Sequence, residues 1–114
     1  MIITKNIPFT KEEIETLKEE YDFFIKTVID IEKKICSAGA NMHFENEKVL
    51  LEQGSLQKDL WGGGIELEMN SVMFNSFINI RPTQNNPSNE IQDIQVRKVF
   101  EELTRYFFKE LYES

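Results

Sequence analysis

The chain has 114 residues, 40% hydrophobic and 29% charged, with 20 acidic against 13 basic side chains and a formal net charge of −7. That length supports a single domain, residues 1–114, with one core that needs neither disulfide nor structural metal. The acidic balance and the scattered basic residues (the longest run is Lys33-Lys34, beside Asp30 and Glu32) argue against nucleic-acid binding, which depends on concentrated positive charge.

Ile2, Ile3 and Thr4 predict a short first strand, and the segment from Met1 to Lys5 lacks the pattern of a signal peptide. Thr10 with Glu13 three residues later has capping-box spacing, and Phe9 with Ile14 has that of a hydrophobic staple. Ile14, Leu17 and Tyr21 then give one apolar stripe, so a helix is expected over Lys11 to Tyr21. From Phe23 to Glu32 the sequence has two readings. Leu17, Tyr21, Phe24, Val28, Ile31 and Ile35 fit one long helix to Cys36. The β-branched density of Ile25 to Ile31 and its alternation favour a strand, turning near Lys33-Lys34 and returning over Ile35 to Met42 with a break at Gly39.

Glu45 to Gln53, closed by Gly54, predicts a short helix. Leu60 to Glu68 predicts a strand, Met69-Asn70-Ser71 a hairpin connection, and Val72 to Ile80 a further strand ended by Arg81-Pro82. Asn85-Asn86-Pro87 lies in a polar loop, and Asp93 or Asn89 caps a last helix whose stripe runs from Val96 through Phe107 to Leu111. The expected fold is α+β: a small, mainly antiparallel sheet packed by helices, in the order β-α-β-β-α-β-β-α.

Six residues stand out as a candidate polar site: His43, Glu45, Glu47, Asn79, Arg81 and Gln84. On a strand His43, Glu45 and Glu47 share a face, whereas on a helix His43 and Glu47 share one and Glu45 points away. Solvated acids at a helix start are the commoner explanation of such a cluster. Asn79 and Arg81 lie two apart. Arg81 offers a fork suited to a small anionic or polar ligand, against the simpler use of pairing with a structural acid. Metal signatures are missing: there is no second His, no H-E-x-x-H and no C-x-x-C, and the sequence names no cofactor. Gly62-Gly63-Gly64 lacks the phosphate-loop pattern and reads as a kink or bulge. Cys36, the lone cysteine, reads as a core filler in a reducing compartment, and with no apolar run near the ~20 residues of a bilayer span the expected place is the cytoplasm, with no membrane partner.

Asp30-Ile31-Glu32, His43-Phe44-Glu45-Asn46-Glu47, Leu50-Leu51-Glu52-Gln53-Gly54-Ser55, Leu60-Trp61-Gly62 and Ile78-Asn79-Ile80-Arg81-Pro82 together resemble a small family of prokaryotic proteins of unknown function. That resemblance spans nearly the whole chain and implies no activity, cofactor or partner. Three functions therefore compete: a homo-oligomeric interaction domain, with a homodimer through the aromatic C-terminal helix; a domain binding a small ligand; and a small enzyme, such as a metal-dependent hydrolase, using a His/Glu/Arg pocket.

Overall fold

The computed structural model describes residues 1–112. Five strands form one antiparallel sheet in the order β1-β3-β2-β4-β5: β1 (Ile3–Lys5), β2 (Phe24–Asp30), β3 (Ile35–Ala38), β4 (Leu60–Glu66) and β5 (Ser71–Met73). Helices α1 (Lys11–Glu20), α2 (His43–Glu52), α3 (Ile94–Phe107) and the short α4 (Lys109–Tyr112) complete an α+β fold in the expected order, with α4 added at the end.

The segment around Val28 is extended, which excludes the single long helix. Thr27 pairs with Ala38 and Asp30 with Ile35 on one side of β2, and Ile25 pairs with Ile65 on the other. The turn signal lies in Asp30 itself. Its carboxylate accepts from the Glu32 and Lys33 amides at 3.0 and 2.8 Å, and Lys34 takes positive φ (57°) to close the hairpin. Thr10 and Glu13 form the reciprocal capping box of α1, at 3.1 and 2.8 Å. Asp93 is the cap of α3, accepting from Gln95 and Val96.

Alternation along β2 divides the core. Ile25 and Ile29 face α1, α3 and α4, where Phe9, Leu17, Phe100, Phe107 and Phe108 are completely buried. Phe9 stacks on Phe108 with centroids 4.8 Å apart. Val28 faces the other way, onto Leu60 and Leu50 of α2. The C-terminal helices, expected to offer apolar surface to a second copy, thus use Phe100, Phe107 and Phe108 within the chain.

Three boundaries differ from expectation. β3 stops at Ala38, because Gly39 (φ 96°) turns the chain so closely past Met1 that a Cβ would lie 2.1 Å from its carbonyl oxygen. α2 starts two residues early, taking His43 and Phe44 into the helix. The strand expected over Val72 to Ile80 pairs only through Met73. Beyond it the chain makes single 3-10 turns at Phe77–Asn79 and Pro82–Gln84, because the Asn79 side chain occupies the β4 edge that a continuing strand would use.

Candidate functional site

Glycines at the centre of β4 let the segment after β5 cross the sheet at close range. A Cβ at Gly62 would lie 2.7 Å from that of Ser76, and Gly64 adopts φ 147°, a conformation side chains rarely take. The run is therefore a platform for close approach within a strand whose pairing with β2 is continuous.

Above this platform sits the first turn of α2. His43 is its first helical residue, and its Nε2 lies 2.7 Å from the Gly63 carbonyl oxygen. A carbonyl only accepts, so Nε2 carries the proton and Nδ1 is left as an acceptor in the neutral ring. Burial lowers the His43 pKa from its ordinary value, and the Lys26 charge lowers it further, against the opposing effect of the Gly63 bond. Three residues on, Asn46 accepts from Ser37 Oγ at 3.1 Å and so fixes the helix to the sheet.

Glu45 turns away from the sheet and accepts from the Met42 amide at 3.2 Å, a helix-capping role. Glu47 lies one turn beyond His43. Its Oε2 is buried without a hydrogen-bond partner among the described residues, and its charge acts on Arg81.

Asn79 and Arg81 are committed to main chain. The Asn79 amide accepts from Gly62 N at 2.8 Å and donates to the carbonyls of Gly62, Asn89 and Phe74 at 2.9, 3.1 and 3.3 Å. Arg81, only 7% exposed, donates to the carbonyls of Ile78 (3.0 Å), Gln57 (2.7 Å) and Leu60, and its guanidinium lies 4.5 Å above the Trp61 ring. Gln84 accepts from Arg81 at 3.4 Å and donates to the Lys58 carbonyl at 3.1 Å. The Arg81 fork is thus filled by carbonyl groups and one side-chain amide.

The main hollow of the surface lies at the other end of β4. A cleft of about 370 Å³ is lined by Phe24, Ile25, Lys26, His43, Gly63, Met73, Asn75, Ser76, Phe77 and Asn89. A smaller hollow of about 150 Å³ adjoins it, sharing Lys26, His43, Ser76 and Phe77 and adding Met42, Phe44 and Ile78. Of the six residues expected to form a site, only His43 lines either hollow.

Phe24, Phe77 and Lys26 are the residues that sequence reasoning missed. The available signal was phase: in β2, Phe24 and Lys26 alternate with the core residues Ile25 and Thr27, which sends them to the opposite face of the sheet. Among the described residues no group of three or more His, Cys, Asp or Glu is placed to hold a metal ion. Cys36 is completely buried, and burial raises its thiol pKa far above the ordinary range, so it carries no thiolate. Among those residues no helix is long and apolar enough to cross a membrane.

Fold and site together define an α+β domain with one mostly apolar cleft floored by a neutral imidazole. The family model described as "Protein of unknown function (DUF5674)" matches residues 1–107, and the chain belongs to that family. Neither the curated proteins nor the solved structures yield a match.

Proposed function

We propose that this chain is a binding domain whose His43 cleft takes one bulky apolar or aromatic group. The observation that carries this reading is the coincidence of a concave, mostly apolar cleft of about 370 Å³ with an exposed aromatic rim. Phe77 is 82% exposed and Phe44 54%, and Phe24 borders the same cleft, although the fully buried phenylalanines show that the core can absorb such rings. The polar groups are few: the acceptor Nδ1 of neutral His43, the amides of Asn75 and Asn89, and Lys26, whose ammonium donates to the Asn41 carbonyl at 2.7 Å. That composition suits orientation of a mainly apolar ligand. Binding is favoured over catalysis because the His43 ring is held by a main-chain carbonyl, whereas a catalytic base is usually oriented by an acid and set beside a nucleophile.

Titration with indole, followed by heteronuclear NMR, tests the reading. Saturable shifts centred on His43, Lys26, Gly63 and Phe77 are expected. Shifts that do not saturate up to the solubility limit, or that centre on Arg81 and Trp61, would overturn it.

A further inference from the structure

The cleft does not end at Phe24. Its surface continues past Phe24 and Lys26 into a shallow groove of about 340 Å³, lined also by Glu20, Tyr21, Asp22, Phe23 and Asn41. The two hollows have opposite character. No acidic residue lines the cleft, whereas the groove carries Glu20 and Asp22, and the Tyr21 phenol, its pKa raised chiefly by burial, also feels the charges of Glu20 and Glu45. Tyr21 is held by donating to the Gly39 carbonyl at 2.8 Å and to Asn41 Oδ1 at 3.0 Å, so the floor of this acidic shelf is fixed. Phe23, 71% exposed, supplies apolar surface beside the acids. The shelf already holds one cation: the amino group of Met1 pairs with Glu20 at 2.5 Å.

An apolar pit continuous with an acidic shelf complements a bulky apolar side chain next to a positive one. Resting on the reading of the cleft as a binding site, we propose that its occupant is a peptide segment of a partner protein, with a large apolar residue for the pit and a Lys or Arg directly beside it for the shelf. The acids select the partner by charge, and the pit anchors it by burial.

Three probes test this by the same NMR titration: the peptides Ac-Lys-Trp-Lys-NH2 and Ac-Glu-Trp-Glu-NH2, and indole alone. At low salt the basic peptide is expected to bind at least tenfold more tightly than its acidic twin, shifting resonances of both His43 and Asp22, with the advantage shrinking as salt rises. In the double variant Asp22→Asn, Glu45→Gln, whose isosteric amides preserve the helix cap, the ratio should fall below threefold while indole affinity stays unchanged. Equal affinity of the two peptides alongside saturable indole binding, or a ratio that the double variant leaves intact, overturns this inference and leaves the cleft reading standing. Absence of saturable binding by all three probes overturns both.

Discussion

The Asn79 side chain pairs with the Gly62 main chain in both directions, accepting from its N–H at 2.8 Å and donating to its carbonyl at 2.9 Å. One amide group thereby does the work of a neighbouring strand at the point where β5 has already left the edge of β4. Asn79 is completely buried. Replacing it with Ala strands the Gly62 donor and acceptor away from water, at about 1–3 kcal/mol for each group left unpaired. Asn79→Ala is therefore expected to lower the unfolding free energy by about 2–4 kcal/mol in urea titrations, and to speed hydrogen exchange at the Gly62 amide. A loss below 1 kcal/mol would mean that water or another side chain fills the gap.

Arg81 plays a parallel part at the other end of β4. Its planar fork joins three stretches of chain, at Gln57, Leu60 and Ile78. A lysine ammonium has three donors on a flexible stem and cannot reproduce that fork or its stacking on Trp61. Arg81→Lys is expected to cost about 2–3 kcal/mol, as for charge-assisted hydrogen bonds lost in a buried site. Where the variant is still folded, its affinity for indole should stay within threefold of the parent. A folded Arg81→Lys protein that had lost indole binding would place Arg81 in the ligand site.

What the sequence made legible follows from how local each signal is. The Thr10–Glu13 box, the β-branched run through Val28 and the stripe of α3 are encoded within a few residues, and each forms where its pattern lies. Asp30 was visible only as a polar face residue, because its turn-forming hydrogen bonds depend on backbone geometry that no spacing rule records. The site failed to show for a related reason. Asn79 and Arg81 have the chemistry of ligand recognition, but main-chain carbonyls bring donors and acceptors that a list of side chains leaves out. His43 was singled out by its chemistry, yet its companions Lys26, Phe24 and Phe77 come from distant segments whose meeting is set by the crossing over Gly62.

The lowered His43 pKa makes a signed prediction about pH. The folded chain prefers the neutral ring, while the unfolded chain takes up a proton near the ordinary value of 6.5. Above that pH both states are neutral, and the preference costs nothing. As pH falls below 6.5 the unfolded state binds more protons, so stability declines until the folded-state pKa is passed and the loss levels off. His43→Gln, which keeps a donor for Gly63, should flatten this decline. Urea midpoints measured from pH 7.5 down to 5.5 would show it, since His43 is the only histidine and no other side-chain type ordinarily titrates in that window. A parent protein whose stability is level across the window would show that the ring protonates without strain.

Phe77 separates stability from binding most cleanly. It stands on the 3-10 turn that follows Ser76, with 82% of its surface exposed, so its ring adds little to the core. Phe77→Ser should change the unfolding free energy by no more than about 0.5 kcal/mol, as for surface substitutions generally. The same ring borders both hollows around His43, and a bound aromatic group would cover it. Losing even part of that contact, at about 25 cal/mol per Å² of apolar surface, is expected to weaken indole binding roughly fivefold, an affinity loss of about 1 kcal/mol. Parallel urea and NMR titrations of this variant decide the matter: unchanged stability with weakened indole binding is the signature of a residue kept at the surface for what it touches there. Weakened stability with unchanged binding would instead make Phe77 part of the packing and remove it from the rim of the site.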